Sequence, residues 1–376
     1  MRAILRQAIP GTSQVGDHGG IDGGSRWLTM GAAAVSTTMA AMPSPVPLIE
    51  LTRGQTLENQ HFGAIAVVNA QGRLLAAAGD PQHTVFTRST LKPFQALPFV
   101  QAGGPAHFGL ASEQVAMLCA SHSGENMHVA QVQTMLDKAG LHYKALRCGC
   151  HVPYFFEHGV AGIPGAFDER HHNCSGKHSG FLAYCVQHGL PLDDYLEPAH
   201  PLQQAVRRCV AHAAGLDEAD LKLGIDGCSA PNFAMPLTGL AQAYARLAAA
   251  RESDEFGTSF AQLSSAMAAH PKLVSGTHRN DEAFMRAGRG DWVTKVGADG
   301  VQAVASRSRG EAFAIKISDG NKPALFAATV EVLAQLGWLD DAQREALAPW
   351  RAQDILSIRG VKVGERLPVF RLQTPA

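Results

Sequence analysis

The 376-residue chain is 46% hydrophobic, enough to bury a sizeable core as one large domain or two ordinary ones. Lysine and arginine total 32 against 33 aspartates and glutamates, which leaves no basic excess for a phosphate backbone and excludes nucleic acid as an expected partner. No apolar run of about 18 residues is present to span a bilayer, and seven cysteines without framework spacing read as reduced thiols or metal ligands, hence a cytoplasmic address.

In chain order, residues 1–45 read as a disordered leader: Gly, Ser, Thr and Pro are prominent, no helical or strand period persists, and Met30, Met39 and Met42 are alternative starts. Short strands follow over 47–53, 61–69 and 73–78, with Asn69-Ala70-Gln71-Gly72 as a hairpin turn. The period then changes to three-and-four, predicting helices over 112–120, 127–139, 178–188, 201–214 and 237–250. Strands return over 291–296, 301–306 and 312–317, then a helix over 322–336 and final strands around Ile355 and Val361. The expected architecture is α/β (α+β): 46–376 forms a single catalytic domain whose antiparallel sheet is built from both chain ends, about 46–90 and 288–376, flanked by helices. A mainly helical lobe, about 110–285, is inserted between them, with an active site in the cleft where the two meet.

Four constellations carry candidate chemistry. In Arg88-Ser89-Thr90-Leu91-Lys92-Pro93, a helix opening near Ser89 sets Lys92 three residues on and on the same face. The amine is then a base beside a nucleophile, and Pro93 suits a first helical turn. Cys119-Ala120-Ser121-His122-Ser123-Gly124-Glu125 presents hydroxyls and His122 in a loop, though such residues also make ordinary turns. Cys174 and Lys177 in Asn173-Cys174-Ser175-Gly176-Lys177-His178, with Asp226 and Cys228 in Gly224-Ile225-Asp226-Gly227-Cys228, are able to meet around one soft cation; otherwise they are buried thiols and a surface lysine. Ser175-Gly176-Lys177 lacks the earlier glycine of a phosphate loop. Lys295 sits on a late strand, either as a solubilising edge charge or facing the Ser89 helix and helping to hold Lys92 neutral.

The order of these parts resembles serine enzymes of the β-lactamase and glutaminase type, with Ser89 and Lys92, then Ser121, then Lys295 and Gly297. More specifically, Arg-Ser-x-x-Lys-Pro-Phe-Gln, Ala-Ser-His-Ser-Gly-Glu, Cys-Gly-x-His-x-Pro, Asn-Cys-Ser-Gly-Lys-His, Gly-Ile-Asp-Gly-Cys-x-Ala-Pro and Lys-x-Gly-Ala-Asp-Gly occur in that order from Arg88 onward. Together they resemble the class 3 L-asparaginases, the Rhizobium etli type, over essentially Leu48 to the C-terminus. The resemblance implies a serine β-lactamase/glutaminase-like fold and hydrolysis of L-asparagine to L-aspartate and ammonia. It implies Ser89–Lys92 and Ser121–Lys295 as two Ser–Lys pairs, Zn²⁺ on Cys174, Lys177 and Cys228, and substrate contacts from Arg88, His122, Asp226 and Arg279, in a homodimer. Two other readings use the same residues. A penicillin-recognising or esterase-type hydrolase needs Ser89 and Lys92 but not the cysteines, and a zinc-stabilised scaffold leaves the Ser-x-x-Lys idle.

Overall fold

A computed structural model describes residues 45–157, 159 and 166–375. All of the expected leader but Pro45 therefore lies outside the described residues. The strands are β1 (Val46–Arg53), β2 (Thr56–Asn69), β3 (Leu74–Ala78), β4 (Thr84–Phe86), β5 (Lys222–Ile225), β6 (Pro231–Pro236), β7 (Trp292–Gly297), β8 (Val301–Ser306), β9 (Glu311–Ile317), β10 (Gln353–Leu356) and β11 (Lys362–Pro368). The large sheet runs β10-β11-β1-β2-β9-β8-β7, with β3 also paired to β2, and its pairings are antiparallel. Strands from both chain ends thus share one sheet, as their distribution predicts. β2 pairs directly with β9, Ile65 opposite Ile315, which brings residues 250 apart in the chain side by side.

Period-two alternation gives the two faces of this sheet different characters. Ala64 and Ala66 of β2, Ala303 and Ala305 of β8, and Ala312 and Ala314 of β9 line one face. These small side chains let the helix Leu237–Ala249 lie close across β2, β8 and β9. Ile65, Val67, Phe313, Ile315 and Ile317 point the other way, into a second core with Leu325, Leu333 and Trp338 from the helix Lys322–Gln335 and beyond. The expected helical middle is present, but it also holds a second sheet, β4-β6-β5, that periodicity did not anticipate. Its strands are three to six residues long, and β6 begins and ends with proline, so an alternating pattern is too brief to register.

Candidate active site

The sequence suggests an α-helix opening at Ser89; the structure has a 3₁₀ turn over Arg88–Leu91, followed by the short helices Lys92–Gln95 and Leu97–Gln101. Pro93 and Pro98 each sit at the start of one of these, where a missing N–H is tolerated, and they keep the segment from forming one long helix. A helix dipole aimed at Ser89 is therefore not a feature of this site. The turn is instead shaped from outside. Arg88 has φ of 51°, a left-handed conformation costly for a residue with a Cβ. Asn232 of β6 holds it there: its Oδ1 accepts from the Arg88 N–H at 3.0 Å and its Nδ2 donates to the Arg88 carbonyl at 3.0 Å. Thr87 Oγ1 donates to Phe233 O at 2.7 Å, and the Tyr244 hydroxyl donates to Thr90 O at 2.7 Å. β7 passes against the same turn at Gly297, where a Cβ would come within 2.9 Å of Thr87 O.

Both serines line one cavity of about 430 Å³, together with Tyr154, Arg279, Val296 and Lys322. The two lysines lie behind it, Lys92 at 1% exposure and Lys295 at 0%. Lys92 is not hydrogen-bonded to Ser89 as the three-residue spacing suggests. Its Nζ lies 2.6 Å from Ala120 O, 2.8 Å from Ser121 Oγ and 3.3 Å from Asn173 O. A buried amine turns to whatever polar groups surround it, and here these come from the loop after the helix Ser112–Leu118 and the turn before the helix Ser175–Gln187. Burial pushes the Lys92 amine below its ordinary value, and neighbouring Lys177 adds to this against the opposing Cys174 and Cys228.

Lys295 likewise has a partner other than the expected Ser121. Its Nζ donates to Asp281 Oδ2 at 3.0 Å and to Val296 O at 3.0 Å, and the ion pair is wholly buried. Burial brings the Lys295 amine down to about 8, with Asp281 opposing and Lys92 and Arg279 adding to the fall. Asp281 was missed by sequence reasoning: it lies in the first turn of the helix Asn280–Ala287, and no local spacing links it to a strand residue at 295.

The expected substrate contacts divide. Arg279 lines the cavity and donates to the carbonyls of Ser121 and Ser275, its guanidinium 5.7 Å from the Tyr154 ring centre. Arg88 and Asp226 are brought together, Nε to Oδ1 at 2.8 Å, with Asp299 also on the guanidinium. His122 is fully buried: its Nδ1 accepts from the Gly124 N–H at 3.1 Å, so Nε2 carries the proton toward Ser175 Oγ at 2.9 Å, which in turn donates to Arg170 O. Burial, then His128, holds its pKa well below the ordinary range, and this neutral ring supports the loop rather than facing the cavity.

Cys174, Lys177 and Cys228 also converge, Lys177 Nζ lying 3.1 Å from Cys228 Sγ. Gly176 makes this possible, since a Cβ there would come within 2.3 Å of Met117 O where the two helices touch. The thiol of Cys174, then Lys177 and His178, hold Cys228 as a thiolate against the opposing effect of burial. His178 Nε2 is buried without a hydrogen-bond partner, while its Nδ1 meets the Tyr195 hydroxyl at 2.7 Å. Two thiols and an amine suit a soft divalent cation. Among the described residues no three His, Cys, Asp or Glu side chains form a conventional cation cluster, so a metal here depends on Lys177 as a ligand.

The model of the family described as L-asparaginase II matches residues 49–368, which contain every residue of this site. No curated protein matches the sequence. Among solved structures, the chain is similar to one titled "Mglu in its native form", at 15% identity and a TM-score of 0.43, covering 74% of this chain and 64% of that one. It is also similar to a β-lactamase from Mycobacterium bovis, at 15% identity and a TM-score of 0.37, covering 73% and 94%. The chain thus spans less than two thirds of the first of these structures.

Proposed function

The chain belongs to the L-asparaginase II family and is a hydrolase acting on amides, and from that premise we propose that it cleaves the side-chain amide of L-asparagine to L-aspartate and ammonia through a serine acyl-enzyme. The six ordered motifs support the class 3, Rhizobium etli-type subgroup. The observation that carries the mechanism is a buried lysine of depressed basicity, bridging to a serine, behind a cavity that two serines line.

Ser89 is the attacking hydroxyl. Its oxygen bonds to the amide carbon as its proton passes to neutral Lys92, and backbone N–H groups of the 3₁₀ turn receive the oxyanion. The C–N bond then breaks, and the proton returns through Ser121, working with Lys295, to the departing nitrogen. Water cleaves the aspartyl ester with Lys92 again taking a proton, which frees aspartate and restores the hydroxyl. Cys174, Lys177 and Cys228 would hold Zn²⁺, Lys177 as the neutral amine, and the ion would supply a fixed positive centre that helps to place the substrate.

Ammonia release from L-asparagine, with L-glutamine in parallel, tests the substrate; no release from zinc-loaded protein would withdraw it. Ser89→Ala should abolish turnover with folding and zinc content unchanged. The 2.8 Å contact between Lys92 and Ser121 favours a second reading in which Ser121 attacks. Acid-quenched peptide mapping separates the two: an aspartyl ester on residue 89 that survives Ser121→Ala supports the first, and one on residue 121 that survives Ser89→Ala supports the second.

A further inference from the structure

The two buried lysines sit in chemically different surroundings. Lys92 is met by two carbonyls and a hydroxyl, with the Cys174 thiol also beside it, and among the described residues no carboxylate lies within ion-pair distance of it. A neutral amine suits that environment, donating N–H groups to Ala120 O at 2.6 Å and Ser121 Oγ at 2.8 Å and keeping a lone pair to take a proton. Lys295 faces a carboxylate that is itself held from several sides. Asp281 Oδ2 accepts from Lys295 Nζ and the Val296 N–H, both at 3.0 Å. Its Oδ1 accepts from Gln302 Nε2 at 3.1 Å and Asn280 Nδ2 at 3.2 Å. Asn280 also donates to Gln302 Oε1 at 3.0 Å, and Gln302 donates to Thr294 Oγ1. A carboxylate with five donors, the Thr294 hydroxyl at 3.4 Å from Oδ1 being the fifth, is fixed in place, and removing one partner of such a pair leaves an uncompensated buried charge.

We infer that Asp281 is the positioning residue that divides the work of the two lysines: it fixes Lys295 as an ammonium behind the cavity wall, so that Lys92 alone is free to act as the base. This rests on the Ser–Lys acyl-enzyme reading above and deepens it. The charged and titratable groups that bear on Lys295 are Asp281 and Arg279 beside it, Lys92 from the helix Lys92–Gln95, and Cys119 at the end of the helix Ser112–Leu118. Tyr244, from the helix Leu237–Ala249, bears on Asp281. Asp281 is the one group among them whose charge favours the ammonium by direct contact.

The test is the pH dependence of asparagine turnover in the full-length, zinc-loaded protein carrying Asp281→Asn. Loss of an opposite charge at this distance lowers a lysine pKa by about one unit or more. The alkaline limb of kcat should therefore move to lower pH by about that amount, with kcat at pH 8, where the wild-type amine is about half charged, down about fivefold and KM within about threefold. Asp281→Glu, which keeps the charge, should leave the limb in place. A wild-type limb in folded Asp281→Asn overturns the inference. Should that variant fail to fold, Gln302→Ala keeps both charges and loosens only the carboxylate; it should lower kcat several-fold, and an unchanged kcat overturns the inference equally. Lys92→Ala separates the two levels: wild-type turnover there sinks the Ser–Lys reading itself, whereas an inactive Lys92→Ala beside a wild-type-like Asp281→Asn removes only the role given to Asp281.

Discussion

Arg88 shows how one residue acquires its role from partners distant in the chain. Its left-handed backbone is held by Asn232, and its guanidinium is anchored by Asp226 and Asp299, so the following residue, Ser89, leaves the turn in a set direction. Asn232 is almost wholly buried, and its amide fits both the N–H and the carbonyl of Arg88. Truncating it leaves both groups unpaired beside a strained φ, which costs about 1–3 kcal/mol. Asn232→Ala should lower the urea midpoint accordingly and reduce kcat more than it changes KM, because Ser89, the proposed nucleophile, is misplaced while the cavity persists. A variant with wild-type stability and rate would show that the turn holds itself. The motif containing Ser89 was legible in the sequence; its strained neighbour was not, because arginine carries no marker for a positive φ.

At the scale of elements, the alanine face of the large sheet sets how near the helix Leu237–Ala249 lies, and this helix carries Tyr244 to the Thr90 carbonyl. Ala314, fully buried in the middle of β9, is opposite Ala66 of β2 and Ala303 of β8. Ala314→Leu inserts volume where the helix must approach, and overpacking of this kind costs about 1–3 kcal/mol. On the other face, Phe313→Ala empties part of the second core, at about 3–5 kcal/mol. Denaturant titration should rank Phe313→Ala as the less stable variant. Turnover of the folded protein should suffer more in Ala314→Leu, whose displaced helix pulls on Tyr244 and the Ser89 turn. The reverse order in both measurements would contradict this assignment of faces. The long strands and helices were legible from periodicity, whereas β4, β5 and β6, which position Asn232 and the loop of Cys228, were too short to announce themselves.

Across the whole molecule, β6 links the Ser89 turn with the Cys174, Lys177 and Cys228 cluster. Cys228 and Asp226 precede it in a tight loop, Asn232 follows on the strand, and both Asp226 and Asn232 contact Arg88. A cation at Cys174, Lys177 and Cys228 would therefore stiffen the loop that also braces Ser89, without touching the reacting bond. Cys174→Ala should abolish zinc retention, measured as metal content after dialysis, and chiefly raise KM. Unchanged metal content would show that the ligand set is wrong. No helix among the described residues is long and apolar enough to cross a membrane.

The sequence by itself determined the residue types proposed to supply the chemistry and the broad layout: strands at both ends, helices between, and the Ser-x-x-Lys, Ser121 loop, cysteine and Lys295 motifs in order. These are local patterns, and local spacing reports them. Which groups meet was decided only by the tertiary structure, where Lys92 turns to Ser121, Lys295 pairs with Asp281 and Arg88 leans on Asn232. The physical reason is burial. A desolvated amine or a strained backbone must find partners wherever the fold supplies them, and Asp281, Ser121 and Asn232 lie 14, 29 and 144 residues from the groups they meet.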